Sequence, residues 1–295
     1  MKKQLLFASL LFAGCSFGQI FTEDFESASA PALPSGWTQV TVATDGGFNT
    51  SSDLTSTYFT FPAHTQYVGT NDDVCNCDKA NEQIISSAIA IPAAGTHVVS
   101  FEYVLGAFYG ETGEFGVSTD GGTTVTSLGL MDPSNASGEH VWTNASFLLT
   151  AYAGQTINLV WTYHDNADWG SGLVLDDVSI AALPAVDMEM TALSMAATVV
   201  AGNANVSGTV TSKGADNITS IDVTWNDGSG LNSETFTVNL NYGDTYNFSH
   251  GTTLAAVAGQ TYNLDVCVIA TSDSDNSNDC MSGSISAVSS IVAKV

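Results

Sequence analysis

Arginine is absent from the chain, and lysine occurs only five times against 30 aspartates and glutamates, for a formal charge of −25. Two of those lysines, Lys2 and Lys3, open a leader, so the remainder is more acidic still. Phosphate neutralisation needs lysine and arginine, which excludes nucleic acid as a partner and disfavours an anionic bilayer surface. Long apolar runs are scarce as well. Beyond residue 19 no segment approaches the ~18 uninterrupted apolar residues of a spanning helix, so no membrane span is expected. With 12% charged and 44% hydrophobic residues, the chain is too apolar for a disordered acidic tail.

Catalytic patterns are missing too. There is no G-x-S-x-G stretch, and GVSTDGG reads as a hairpin rather than a strand-to-helix elbow. His64, His97, His140, His164 and His250 are scattered, without the pairing or spacing of a zinc site, and C-x-C lacks a second cysteine pair. Glu102, Glu111 and Glu114, with Tyr103, Phe108 and Tyr109 between them, offer the carboxylates of a glycosidase. Simple alternation along a strand, with Phe101 and Tyr103 inward, accounts for Glu102 equally well. The expectation is a protein that is not an enzyme.

What is present begins with MKKQLLFASLLFAGCSFGQ, a basic start, an apolar run from Leu5 to Ala13 and small residues before Gln19. It reads as a secretory signal peptide over residues 1–19, cleaved before Gln19 or Ile20. Lipidation at Cys15 is the lesser reading. The chain then alternates as strands do, in segments such as HVVSFEYVLGA and HVWTNASFLLTAYAGQTINLVWTYHD, spaced by Gly and Asp turns. FTEDFES reads as a strand with Phe21 and Phe25 on one face and Asp24 and Glu26 on the other. STDGGTT suits a hairpin loop. DWGSGLVLDDVSI reads as a turn feeding one long strand.

The pattern restarts after Pro184, with about seven short strands in roughly 100 residues. The expected fold is therefore all-β: a jelly-roll sandwich over residues 20–183, then a smaller immunoglobulin- or fibronectin-like sandwich over 184–295. Four cysteines remain beyond the leader. Cys267 and Cys280 fall on two strands flanking a polar loop and are expected to pair. Cys75 and Cys77 are left with each other, unless they stay reduced or bind metal.

The ordered set FTEDFES, LPSGWT, YVGTNDD, NEQIISSAIAIP, HVVSFEY, GEFGVSTDGG, TAYAGQTINLVW and LVLDDVSI resembles the cleaved-adhesin, or choice-of-anchor J, domains of exported Bacteroidetes proteins, which are similar to MAM domains. The resemblance spans about residues 20–181. It implies a calcium-bearing jelly roll that adheres to glycan or protein ligands at the cell surface or outside the cell. The second half is similar to the immunoglobulin-like spacers of such proteins. The chain stops at SSIVAKV, with no sorting domain of the kind many of them carry, which raises the expectation of an incomplete product.

Calcium takes about six to eight oxygen ligands, so clustered carboxylates are its candidates. Asp24 and Glu26 on the first strand and Asp176 and Asp177 on the last form one group, because first and last strands are often neighbours in a jelly roll. Asn71, Asp72, Asp73 and Asp78 form a second around the C-x-C loop. A solvated acidic surface is the plainer reading of both. SDSDNSND lacks the glycine and glutamate of an EF-hand and reads as a polar hairpin tip. Trp169, Phe108 and Tyr109 are candidates for sugar stacking. Trp142, Trp161 and Trp225 are expected in cores. A polysaccharide-binding accessory pair of a secreted hydrolase, or a structural surface component, are the alternative functions; the sequence leaves the oligomeric state open.

Overall fold

The computed structural model describes residues 18–75, 77–106, 109–133, 141–167 and 169–289. The chain divides after Ala182 into two compact units. Residues 1–17, where the signal peptide and Cys15 were expected, and also Phe108 and His140, lie outside the described residues.

The first unit contains β1 (Gln19–Glu23), β2 (Thr38–Val40), β3 (Asn49–Ser51), β4 (Tyr67–Asn71), β5 (Glu82–Ile85), β6 (Ile89–Ala90), β7 (His97–Leu105), β8 (Thr112–Ser118), β9 (Thr126–Met131), β10 (Thr143–Leu148), β11 (Thr156–His164) and β12 (Gly172–Ala182). One sheet runs β10-β7-β12-β4-β3 with β1 also on β12, and the other runs β2-β5-β11-β8-β9 with β6 on β11. Period-two alternation sends Val99, Phe101 and Tyr103 of β7 inward to meet Phe115 and Val117 of β8 and Leu159 and Trp161 of β11. Ring centroids of Phe101, Phe115 and Trp161 lie 5.1–5.3 Å apart. Such contacts each contribute about 0.5–1.5 kcal/mol beyond burial itself. This is a β-sandwich.

β12 is buried along most of its length because a second apolar cluster covers its outer side. Phe61, Tyr67, Val104 and Val174 pack there, with Leu54, Phe59 and Trp142 against them. Trp142 thus belongs to a cluster outside the sandwich core, its Nε1 donating to Pro62 O at 3.2 Å. Trp161 and Trp225 are core residues. The β8–β9 hairpin turns at Asp120-Gly121-Gly122, both glycines having positive φ. Asp120 Oδ1 accepts from Thr124 N at 2.8 Å, which holds the tip.

The second unit contains β13 (Met188–Leu193), β14 (Thr198–Val200), β15 (Gly202–Ala204), β16 (Ser207–Ser212), β17 (Ile218–Asn226), β18 (Leu231–Leu240), β19 (Thr245–Ser249), β20 (Leu254–Ala256), β21 (Thr261–Ile269) and β22 (Cys280–Val288). Sheets β13-β16-β19 and β14-β22-β21-β17-β18, with the pair β15-β20, enclose a core that includes Val210, Val223, Trp225, Leu264, Val266 and Ile285. Cys267 and Cys280 face each other across β21 and β22 and are disulfide-bonded. None of the helices among the described residues is long and apolar enough to cross a membrane.

Candidate functional site

The loop between β11 and β12 is held from below by buried acids. Asp165 Oδ2 accepts from Lys79 N at 2.8 Å, Asp72 Oδ2 from Gly170 N at 2.9 Å, and Glu111 Oε1 from Ser171 N and Oγ at 3.3 and 3.1 Å. Gly172 follows at φ 108°, where a Cβ would stand 2.0 Å from Thr70 O, so only glycine fits. With its backbone spent inward, this loop leaves Trp169 60% exposed. Tyr58 and Tyr109 are 80% and 54% exposed.

The three aromatics converge. Tyr58, Phe59, Tyr109 and Trp169 line a depression of about 360 Å³ that shares Asp73 and Trp169 with a second, about 290 Å³, lined by Asp72, Asp78, Cys77 and Asp165. Sequence reasoning singled out Trp169 and Tyr109 but missed Tyr58, whose only signal was its place among the three aromatics of the irregular stretch STYFTFP. Burial drives the Asp72 carboxyl up to about 7, against the pull of the Gly170 N–H, and the Asp165 charge adds to the rise. Asp72 Oδ1 is buried with no hydrogen-bond donor. Asn71 caps the short turn Asp72–Val74, its side chain accepting from Asp73 N at 3.0 Å. Cys75 and Cys77 form a disulfide, which removes both sulfurs as metal ligands.

Beneath this loop sits a feature no motif announced. Lys79 is fully buried, its Nζ 2.7 Å from Asp45 Oδ2, 2.9 Å from Thr70 Oγ1 and 3.8 Å from Glu82 Oε2. Thr70 and Thr41 hydroxyls donate to the Glu82 carboxylate. A buried ion group of this kind holds only because every charge in it is met.

A second acidic site lies where β1 pairs with β12 (Glu23 opposite Val178). The strand expected through FTEDFES ends at Glu23: Phe25 takes a positive φ and is buried, while Glu23 Oε1 accepts from Phe25 N at 2.9 Å. Asp24 and Glu26 therefore stand in a turn, not on a strand face. Asp24 Oδ1 accepts from Glu26 N at 3.2 Å, and Glu26 Oε1 accepts from Gln66 N at 2.8 Å. The Gln66 amide donates to Phe25 O and Ala28 O. Hydrogen bonding from Thr65 and from Gln66 N holds the exposed Glu26 carboxyl below its usual value.

β12 carries a bulge between Asp176 and Ser179, with Asp177 at φ 48°, a conformation aspartate tolerates better than most residues. Asp176 is buried and Asp177 exposed. His64 Nδ1 approaches Asp176 Oδ2 to 2.7 Å without hydrogen-bond alignment, and its Nε2 is 3.3 Å from Glu102 Oε2. Burial raises the Asp176 carboxyl to about 6, and the neighbouring Asp177 charge adds to the rise. Ligand atoms of His64, Glu102 and Asp177 all lie within 4.8 Å of one another. His64 and Glu102 were not predicted here, because the loop that delivers His64 carries no periodicity.

No protein-family model matches the chain, and neither does any curated protein. Solved structures are similar to it. The K2 cleaved adhesin domain of Lys-gingipain matches at 20% identity and TM-score 0.40, over 55% of this chain and 97% of that one. The K1 cleaved adhesin domain of Lys-gingipain from Porphyromonas gingivalis W83 matches at 17% identity and TM-score 0.39, over the same shares. The CBM22-1 xylan-binding domain of Paenibacillus barcinonensis Xyn10C matches at 14% identity and TM-score 0.34, over 56% of this chain and 94% of that one.

Proposed function

We propose that the protein is an exported, non-catalytic adhesion module of the cleaved-adhesin, choice-of-anchor J type, whose first unit binds glycan ligands in the cleft between Tyr58, Tyr109 and Trp169. The convergence of three exposed aromatics on one carboxylate-edged depression carries this reading. Sugar rings present C–H faces that stack on aromatic faces, and Asp73 and Asp78 at the rim accept hydrogen bonds from sugar hydroxyls. The buried Asp72, Asp165 and Glu111 act through the backbone, holding the Trp169 loop in its binding shape before a ligand arrives.

The β1–β12 site fits a hard cation. Glu26, Asp176, Asp177 and Glu102 supply carboxylates, Phe25 and Ala28 supply carbonyls now satisfied by the Gln66 amide, and Asp176 Oδ2 lacks an aligned donor. The carboxylate and carbonyl oxygens of this set suit calcium, with the His64 ring the one nitrogen donor beside them. A bound ion would supply positive charge to carboxylates that otherwise lean on His64 and would tie the first strand to the last. Asp24 belongs to the site as the residue that shapes the turn.

The test is binding of the full chain to a panel of immobilised polysaccharides in calcium buffer, compared with the Trp169→Ala and Tyr58→Ala variants. Binding by the parent chain that either variant loses, at unchanged thermal stability, is expected. Binding that both variants retain, or none to any glycan, overturns the assignment.

A further inference from the structure

The aromatic cleft of the first unit is lined without a positive charge among the described residues. Its two depressions share Asp73 and Trp169, so a carboxylate and an indole form their common wall. Ser56 ties the loop of Tyr58 to that wall: its Oγ accepts from Tyr58 N and Phe59 N at 3.2 and 2.9 Å and reaches Asp73 Oδ2 at 3.4 Å. Among the described residues that long contact is all the Asp73 carboxylate receives. Asp72, 6% exposed, lines the smaller depression; Gly170 N meets its Oδ2, while its Oδ1 is buried without a donor. Lys79, next to Asp78 in sequence, is fully buried and spends its Nζ on Asp45 and Thr70. Glu111 fixes Tyr109 as it fixes Ser171, its Oε2 accepting from Tyr109 N at 2.9 Å.

A neutral sugar would use the aromatics and leave the charge of these carboxylates unanswered. Burial pushes both the Asp72 and the Asp73 carboxyl up, a sign of lost hydration that a cation would replace. A metal ion does not fit: no carboxylate of this cleft belongs to a described set of three ligand atoms within 4.8 Å of one another. Aromatics beside carboxylates suit an organic ammonium instead, which gains cation–π attraction from Trp and Tyr rings and charge-assisted hydrogen bonds from the acids. The net charge of −25 attracts such a ligand from a distance and repels glycans that carry carboxylate or sulfate.

We propose that the cleft selects glycans bearing free amino groups, the protonated amine being held by Trp169, Asp73 and the buried Asp72. This rests on the glycan reading of the same cleft and narrows it to cationic aminosugars.

The experiment measures, by calorimetry on the full chain at low and high salt, the binding of short glucosamine oligosaccharides and of the same oligosaccharides after N-acetylation, which removes the charge and keeps the sugar ring. The free-amine form is expected to bind about 10-fold tighter, the size of one hydrogen bond to a charged group, with the margin shrinking at high salt. Asp73→Asn is expected to erase that margin, and Trp169→Ala to weaken both forms. Asp216→Asn, which removes an exposed carboxylate of the second unit, is expected to leave the margin intact. An equal loss in Asp216→Asn would assign the preference to net charge and overturn the proposal. Equal binding of the two forms by the parent chain, or binding of neutral glycans alone, would overturn amine selection and leave the glycan reading standing. No binding to any glycan would overturn both. Tighter binding of a lysine-rich peptide, lost in Asp73→Asn, would overturn the choice of a glycan in favour of a protein.

Discussion

The two units solve the same electrostatic problem in opposite ways. Both bury carboxylates beside a disulfide, in a chain with only three lysines beyond residue 19. In the first unit one of those lysines, Lys79, is placed wholly inside and meets Asp45 and Glu82 directly. In the second, Asp187 and Asp279 are buried with Asp273 and Asp275 against them, and Lys213 is engaged by Glu189 instead. The position of a scarce lysine distinguishes the two.

The sharpest way to break this comparison is Lys79→Met. It should destabilise the first unit by about 3–5 kcal/mol, since removing one partner of a buried ion group leaves the others uncompensated. Urea unfolding should show that loss, and Glu82→Gln in the same chain should recover part of it. A neutral result would mean the buried acids of the first unit do not need Lys79.

Next in size is Cys267→Ser with Cys280→Ser, which opens the 13-residue separation under the acidic loop. The loss should be about 3 kcal/mol, from the loop entropy released in the unfolded chain.

A smaller effect follows from Asp72. Its carboxyl titrates near 3.8 when unfolded and about 7 when folded, so the folded chain holds more protons between those values. First-unit stability should therefore fall as pH rises from 3.8 to about 7. Asp72→Asn should flatten that slope in chemical denaturation followed across pH in chelator buffer. The smallest expected effect is on stability in Trp169→Ala, within about 0.5 kcal/mol for an exposed site. A larger loss would recast the aromatic as packing rather than platform.

Much of the fold was legible because strands write themselves in period two. HVVSFEY and TINLVWTY each place every second residue in the core, and STDGGTT places two glycines where positive φ is required. The cleft was half legible. Trp169 stood out amid Asp and Gly, but Tyr58 reaches it only through the path of an irregular loop. FTEDFES misled in its second half, because alternation cannot register that Phe25 turns left-handed and enters the core by another route. SDSDNSND gave no local sign that its loop is laced to Val186 and Met188, because Asp187 lies 86 residues before Asp273 in the chain.

By itself the sequence determined composition, charge sign, strand period and turn chemistry, all local quantities that neighbouring residues settle among themselves. These suffice for an all-β chain of two modules with an acidic surface. Only the tertiary structure decided which carboxylates meet a lysine, which meet a histidine and which meet only one another. Those outcomes depend on contacts between strands far apart in sequence, where burial sets the cost of each unpaired charge.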